Sequence, residues 1–237
     1  MNDESLGLTK YIYGDGIGRV ELMQHWGDDR TVVRSARVSF GKDSAKQELS
    51  ERDVKLIDYL IKHRHTSTLE HCGMTFKFVV PLFVRSQHHR HRTWSYNEIS
   101  RRYTDVNIQF YEPTSFRTQH KSNRQASNIS ETKNPVLSCG SDCSESVSLH
   151  HQMSLDLYEK MLSAGVCREQ ARGVLPQNMY TEYYATCNLS NLLKFVDLRT
   201  HDGAQWEIQV AAKACLEIAE KFFPVTVESY IKSKDQA

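Results

Sequence analysis

The chain has 237 residues, 39% hydrophobic and 10% aromatic, which is enough to bury a sizeable core as one large or two small domains. Its 30 Lys and Arg residues nearly balance 29 Asp and Glu residues, and a net charge of +1 excludes a global attraction to nucleic acid or membrane. No apolar run approaches the roughly 20 residues of a membrane span, and the opening Met-Asn-Asp-Glu is unlike a secretory signal, so we expect a cytoplasmic protein without a membrane partner.

Six cysteines are scattered through the chain, a usage that favours free thiols in a reducing compartment over disulfide bridges. They are Cys72, Cys139, Cys143, Cys167, Cys187 and Cys215. Cys139 and Cys143, with His150 and His151 downstream, are the residue types of a zinc site, but a three-residue gap in a serine-rich stretch is a weak signal. We therefore predict small core residues for most of these thiols and no metal site.

The first elements are a glycine-rich turn, a strand and a helix. The glycines lack the preceding apolar strand of a phosphate-binding loop, so they predict a turn into a strand near Val20. Asp28 or Asp29 can cap the helix that follows. Arg34 and Arg37 lie three residues apart on one face of that helix, and we predict that they are solvated or interfacial.

Ser50 begins a second predicted helix and leads towards a histidine-rich loop. The residues at helical spacing for its buried face are Val54, Ile57, Leu60 and Ile61. The helix delivers His63, His65 and the polar segment 66–71, whose hydroxyls suit a helix cap or a ligand contact. Because no His-Glu-x-x-His helix is present, these two roles are favoured over a metal site.

Residues 74–80 alternate as a strand does, with Phe76 and Phe78 on one face. A helix is predicted to begin at 82–84, and a second strand is predicted at 107–111. The segment between them should be partly loop and pinned by regular elements, which is how rigid scaffolds present binding residues.

The second half of the chain is predicted to be mostly helical. Residues 117–147 are rich in Ser, Asn, Gln and Thr, and predict a mobile insertion without regular structure that is dispensable for chemistry. The helix after it has its apolar positions at Leu149, Met153, Leu157 and Met161 and ends at Gly165. A short helix at 168–172 and a strand at 178–187 follow.

Asn188 can cap a helix at 189–198, and a turn at 199–203 leads into a long helix at 204–222 that Pro224 ends. Helices and strands do not alternate regularly, so we predict an α+β fold in a single domain, 1–237, with the polar insertion at about 117–147.

The segment 90–103 concentrates charge, aromatic rings and hydrogen-bonding groups. Between Arg85 and Arg102 the sequence has five arginines and three histidines against one acid, Glu98. Guanidinium groups at this density suit bidentate binding of phosphate or carboxylate. From the residues alone a small anionic ligand is favoured, while a nucleic-acid platform using Trp94 and the nearby tyrosines, or a solvated face, stays open.

This segment resembles the signature of the flavin-dependent thymidylate synthases, which is Arg-His-Arg followed after seven residues by Ser. The matching residues are Arg90, His91, Arg92 and Ser100. The resemblance extends from about Val20 to Tyr230, broken by the polar insertion. It implies a central antiparallel sheet flanked by helices, and a homotetramer whose active sites lie at subunit interfaces.

The resemblance further implies conversion of dUMP to dTMP, with methylenetetrahydrofolate as one-carbon donor and NADPH as the source of electrons through bound FAD. The residues implied to bind dUMP are Gln87, Arg90, Glu98, Ser100, Arg101, Arg102, Arg172 and Arg199. Those implied to bind FAD are Ser67, Arg90, His91, Arg92, Glu98 and Asn188, with His65 and Glu70 on the folate side. Arg199 is the implied catalytic residue, stabilising charge on the uracil carbonyl and N3. Without the resemblance, Arg172 and Arg199 are equally well interpreted as snorkelling arginines that pair with acids.

The chain departs from the family pattern at Ser67, Arg101, Ser190, Lys194 and Gly203. These changes alter the expected contacts to FAD and bear on the choice of substrate. The Pro-Cys pair of the unrelated folate-only synthases is absent, because Leu, Thr, Val, Gln and Val follow the five prolines. Two alternatives remain: a single-stranded nucleic-acid binding module using 85–103, and one-carbon transfer to another pyrimidine nucleotide.

Overall fold

The computed structural model describes residues 7–41 and 48–235. Its centre is a five-stranded antiparallel sheet in the order β1-β2-β3-β7-β4. The strands of this sheet are β1 (Thr9–Tyr11), β2 (Arg19–Trp26), β3 (Gly73–Pro81), β4 (Ser95–Glu98) and β7 (Tyr180–Asn188). A separate hairpin is formed by β5 (Phe116–Gln119) and β6 (Ser127–Lys133).

Eight helices of the described residues surround the sheet. They are α1 (Asp29–Arg37), α2 (Glu51–Lys62), α3 (Leu82–His88), α4 (Cys143–Ser163), α5 (Arg168–Ala171), α6 (Leu189–Arg199), α7 (Trp206–Glu220) and α8 (Pro224–Asp235). Short 3-10 turns lie at Val38–Phe40, Thr66–His71 and Arg172–Val174. The predicted α+β fold with an antiparallel sheet is confirmed. In 7–41 and 48–235 no helix is both long and apolar enough to cross a bilayer.

Strand β3 lies between β2 and β7 and carries the centre of the core. Phe76 and Phe78 are both buried, and Val80 continues the same face. Aromatic and β-branched residues pack well on a pleated surface, and a strand paired on both sides has no open edge. The alternation in the sequence therefore identified β3 correctly.

Two neighbouring aspartates link α1 to the rest of the fold. The side chain of Asp28 caps α1 by accepting from the Thr31 amide at 3.0 Å. Asp29 is buried and accepts from the amides of Val225 and Thr226 at 2.9 and 3.0 Å, which are free donors in the first turn of α8. A carboxylate at a helix N-terminus is also favoured by the helix dipole, so Asp29 fixes α8 against α1.

Two predictions about single elements are wrong. Residues 107–111 form only an isolated bridge between Phe110 and Met179, because Asn107 has a φ of 52° and breaks the extended path. The helix predicted at 204–222 ends at Glu220, and Pro224 begins α8, since proline is well suited to a first helical position. Arg37, predicted to be solvated or interfacial, has a side chain that is 25% exposed and pairs with the buried carboxylate of Asp53.

The polar insertion is not without structure, contrary to the prediction for 117–147. It contains the β5–β6 hairpin and the first turn of α4, where Asp142 accepts from the Glu145 amide at 2.9 Å as an N-cap.

The helix predicted after the insertion is present as α4, but most of the apolar positions that predicted it lie on its exposed face. Leu149, Met153 and Leu157 are exposed at 58%, 62% and 48%, whereas His151 and Tyr158 are buried. His151 tolerates burial because its Nδ1 lies 2.7 Å from a carboxylate oxygen of Glu112 and its ring stacks on Phe110.

Candidate active site

The segment 90–103 lies between α3 and the edge strand β4, and it is more regular than predicted. Arg90 and His91 continue the chain from the end of α3, and β4 then pairs with β7 in the register Ser95 to Thr186 and Glu98 to Tyr183. The arginine signature is thus attached at both ends to elements of the main sheet.

A buried aromatic cluster holds the turn that carries the signature. The Tyr96 hydroxyl lies 2.9 Å from the backbone carbonyl oxygens of both His88 and His91. His88 is buried, and its Nδ1 lies 2.9 Å from the Tyr183 hydroxyl. Trp94 is also buried, with its ring packed against His88. Trp94 and Tyr96 therefore face the core, which removes two rings from any base-stacking platform and disfavours the nucleic-acid interpretation.

Arg199, at the end of α6, contacts this turn directly. Its Nε donates to His91 Nε2 at 3.0 Å, and its Nη2 donates to the Gln87 backbone oxygen at 2.9 Å. The imidazole accepts in this bond, so it is neutral there. Burial, followed by the Arg199 charge, lowers the pKa of His91 to about 4. The arrangement gives the Arg199 guanidinium a fixed plane.

Arg90 brings a second guanidinium charge close to Arg199. The pKa of Arg199 is lowered first by burial and then by the charge of Arg90. Like charges repel, and an anion bound beside the two guanidinium groups would reduce that cost. Arg90 and Arg199 are therefore candidate ligands for an anionic group.

Glu98 is fixed on β4 by two groups. The Thr181 hydroxyl donates to Glu98 Oε1 at 2.6 Å, and Arg85 Nε lies 3.2 Å from the same oxygen. The carboxylate thus has a defined orientation beside the cationic groups, with its second oxygen free of these two contacts. It can accept from a neutral N–H or hydroxyl donor of a ligand.

Arg102 and Arg172 lie near each other on the outer side of the segment. Arg102 Nη2 is 3.7 Å from a carboxylate oxygen of Glu169 on α5. Arg172 follows Glu169 by three residues in a continuous helical turn, so the two share a face. Both arginines are exposed.

The Arg101 side chain, which the resemblance implied for dUMP, is used within the loop that follows the signature. Arg101 is 7% exposed, and its Nη1 donates to the Val106 backbone oxygen at 2.7 Å. A contact at 3.4 Å reaches the carbonyl of Asn107. The guanidinium therefore closes the loop after the signature.

The residues implied for the flavin and folate side lie around the N-terminal end of α6. Asn188 caps the helix by accepting from the Asn191 amide at 2.9 Å. Ser190 lines a cavity of about 400 Å³ together with His65 and Lys194. The Ser190 hydroxyl is buried and makes no hydrogen bond with the described part of the chain. A buried polar atom without a partner, in a residue that lines a cavity together with a cationic side chain, fits an anionic ligand group.

The structure brings several expected residues together at the C-terminal end of α6 and places others beside a cavity along the same helix. Gln87, His91 and Arg199 form one cluster, with Arg90 next to it. The cavity is lined along α6 from Ser190 to Asp197, two residues before Arg199. Ser67 and Glu70 are exposed on the 3-10 turn that contributes to this cavity.

Sequence reasoning missed the residues that hold the site in place. These are Tyr96, Thr181, Tyr183 and Gln205. Each acts through a partner far away along the chain, and no local pattern marks such a pair. A polar side chain in an otherwise buried strand, such as Thr181, was the one available signal.

Protonation of His91 should be linked to folding. The folded-state pKa of about 4 lies below the usual value of 6.5, so from pH 6.5 to 4 the unfolded chain binds a proton that the folded chain excludes. Stability is expected to fall as the pH falls through this window, and burial of His88 and His89 acts in the same direction. His91→Gln keeps a neutral acceptor for Arg199, and the dependence of its denaturant midpoint on pH should be shallower. Equal slopes in the two proteins would contradict the assignment.

The scaffold and the site together define an α+β protein that binds a small anionic ligand with converging guanidinium groups. Residues 21–225 match the family model described as "Thymidylate synthase complementing protein". The flavin-dependent thymidylate synthase of Thermus thermophilus is 42% identical over 208 residues, covering 88% of this chain and 73% of the relative. That of Thermosipho melanesiensis is 38% identical over 216 residues and covers 91% of each chain.

Solved structures agree with these relatives. The UMP/dUMP methylase PolB from Streptomyces cacaoi bound with 5-Br dUMP has a TM-score of 0.75 and 33% identity, covering 90% of this chain and 94% of PolB. Its complex with 5-Br UMP has a TM-score of 0.76 at 32% identity, covering 90% and 93%. The chain belongs to the flavin-dependent thymidylate synthase family, and the resemblance stated from the signature is confirmed.

Proposed function

We propose that this protein converts dUMP to dTMP, taking the one-carbon group from methylenetetrahydrofolate and electrons from NADPH through bound FAD. The observation that carries the proposal is the Arg199 guanidinium, fixed by His91 and Gln87 and placed near Arg90. Family membership gives the reaction, and this cluster gives it a location. Turnover assayed with all three substrates and FAD tests it directly.

The nucleotide is held by the signature and by two distant arginines. Arg90, Arg102 and Arg172 supply exposed guanidinium groups for the phosphate. A phosphate dianion needs such groups in fixed positions. Glu98 and Ser100 accept from or donate to neutral groups, and Gln87 completes the cluster. Arg199 directs N–H groups at the pyrimidine carbonyl and N3, where negative charge must accumulate before C5 reacts.

The residues around α6 fit FAD. The cap residue Asn188 fixes the N-terminus of this helix, and Ser190, whose buried hydroxyl has no partner among the described residues, lines the adjacent cavity. Asn188 and Ser190 would hold the cofactor together with Ser67, Arg90, His91, Arg92 and Glu98. His65 and Glu70 would serve the folate side. Bound FAD supplies the hydride for the reaction. The protein's part is to position the pyrimidine and to stabilise its developing charge.

The active form is proposed to be a cytoplasmic homotetramer with interfacial sites. The resemblance to the family, whose active sites lie at subunit interfaces, supports this assembly. Leu149, Met153 and Leu157 offer an exposed apolar row for contact between copies. Light scattering should give four times the chain mass of 27.4 kDa.

A second candidate is methylation of UMP. It is favoured by the similarity to PolB, whose structures contain 5-Br dUMP and 5-Br UMP. Competition between dUMP and UMP in one assay decides which nucleotide is the substrate, because the two differ only at the ribose 2′ position. If UMP turned over faster than dUMP, UMP would be assigned as the substrate in place of dUMP.

Flavin binding should be visible in the purified protein. We expect FAD to copurify, or to saturate the protein at micromolar concentration, because the α6 N-terminus and the exposed Arg92 suit its diphosphate. Ser190 and Lys194 replace usual FAD contacts, so partial occupancy is expected. The absorption spectrum before and after reconstitution measures this, and no flavin absorbance after reconstitution would contradict the function.

Turnover should not depend on any cysteine. Burial raises the pKa of Cys72 to about 12 and also raises the pKa of Cys187 and Cys215, which makes these thiols poor nucleophiles. Substituting each of the six cysteines by alanine should leave kcat unchanged, with the buried three lowering stability only. Loss of turnover in one folded, FAD-loaded variant would indicate a covalent mechanism instead.

A further inference from the structure

Gln205 occupies a position where a helix cap is expected, but its side chain is used elsewhere. It is the N-cap residue of α7, with extended backbone angles (φ −65°, ψ 135°) and no capping hydrogen bond from its side chain. Instead its Oε1 accepts from Nε2 of Gln87, 118 residues away along the chain. Gln205 thus gives up local stabilisation of α7 in favour of a contact with the site.

The contact closes a ring of interactions around Arg199. Arg199 donates to the Gln87 backbone oxygen at 2.9 Å, and the Gln87 side chain donates to Gln205. The turn between Arg199 and Gln205 is itself held by the buried Gln209, whose Nε2 donates to the Ala204 backbone oxygen at 2.8 Å. Gln205 therefore lies on a held turn, and it is connected through Gln87 to the Arg199 guanidinium.

We propose that Gln205 is a positioning residue for dUMP binding, which holds the Gln87 side chain in the conformation that meets the nucleotide. This rests on the proposed function, in which Gln87 contacts dUMP. Without Gln205, the half-buried Gln87 side chain has free rotamers, and binding must then order it. The loss should fall on dUMP affinity more than on the chemical step.

Gln205→Ser separates positioning from stability. Serine is among the best N-cap residues, so α7 should be at least as stable in the variant, but the short side chain cannot reach Gln87. We expect the dUMP KM to rise about 3- to 10-fold, corresponding to one lost hydrogen bond, with kcat changed less, FAD content unchanged and the unfolding midpoint equal or higher. Gln109→Met, at an exposed glutamine, is the matched control and should leave KM unchanged.

A double-mutant cycle with Gln87→Met tests whether Gln205 acts through Gln87. If it does, Gln205→Ser should add little to the KM of the Gln87→Met variant. Additive effects, or a Gln205→Ser variant with wild-type KM, would overturn the proposal. A wild-type protein that neither binds nor turns over dUMP would instead refute the proposed function, so the two failures are distinguishable.

Discussion

Replacing Arg199 by alanine is expected to reduce dUMP turnover by about 100- to 1000-fold, corresponding to the roughly 3 to 4 kcal/mol that a donor aimed at developing charge supplies. FAD content should stay unchanged, because Arg199 is assigned to dUMP and not to the cofactor. The effect should appear in kcat, since charge on the pyrimidine builds up on the way to the transition state.

The geometry around Arg199 also predicts what lysine would do there. Two N–H groups on different nitrogens are used by His91 and by the Gln87 carbonyl, which fixes the guanidinium plane and directs the remaining donors. A lysine ammonium has one nitrogen and cannot make both contacts while still reaching a ligand. Arg199→Lys should therefore recover little of the lost activity.

Comparing Arg172→Ala with Arg199→Ala separates phosphate binding from stabilisation of the charge that develops on the pyrimidine. Arg172 is exposed and assigned to the phosphate, so its loss should weaken dUMP binding and leave saturated turnover largely intact. Measuring dUMP affinity and kcat for both variants gives opposite patterns under this assignment. If Arg199→Ala weakened binding but kept saturated turnover, Arg199 would be a substrate clamp and not a catalytic residue.

Local patterns in the sequence predicted those parts of the fold that depend on near neighbours. The alternation of β3 and the caps at Asp28, Ser50 and Asn188 were all correct, because each involves residues within one strand or one helical turn. The signature could also be identified from the sequence, because its seven-residue spacing is a local pattern.

Two predictions failed for local reasons, the positive φ of Asn107 and the suitability of Pro224 for starting α8. Other features could not be predicted because they depend on distant partners. His151 is buried in α4 beside Glu112, 39 residues earlier. The role of Gln205 rests on a contact spanning 118 residues. Periodicity ranks residues by hydrophobicity, and it cannot show that a polar residue becomes favourable to bury once its partner is supplied.

Replacing Arg117 by alanine is expected to lower the free energy of unfolding by about 3 kcal/mol, because it leaves a buried carboxylate without its cation. Arg117 Nη2 lies 2.7 and 2.9 Å from the two carboxylate oxygens of Glu207, which is 4% exposed. Its Nε donates to the Ser127 hydroxyl at 2.9 Å, and its guanidinium lies over the Trp206 ring. These contacts fasten the β5–β6 hairpin to the start of α7.

Loss of the Arg117 side chain and loss of the Glu207 charge should lower the free energy of unfolding by different amounts. Arg117→Ala leaves the Glu207 carboxylate buried with only the Tyr111 hydroxyl, at 3.3 Å, as a side-chain donor among the described residues. Glu207→Gln leaves a guanidinium whose side chain is 21% exposed and can turn towards water. Denaturant midpoints should therefore fall further for Arg117→Ala than for Glu207→Gln, with Arg124→Ala, at an exposed arginine of the same hairpin, close to wild type.

This prediction limits how much of the polar insertion is dispensable. The exposed tip at 121–125 can be replaced by a short Gly-Ser link without touching the Arg117 contacts, and dUMP turnover should survive. A deletion that removes Arg117 exposes the first turn of α7, which carries Gln205 and Glu207, and should lower both stability and dUMP affinity. Equal stability of Arg117→Ala and Arg124→Ala would show that the hairpin is a surface addition, as its composition alone indicates.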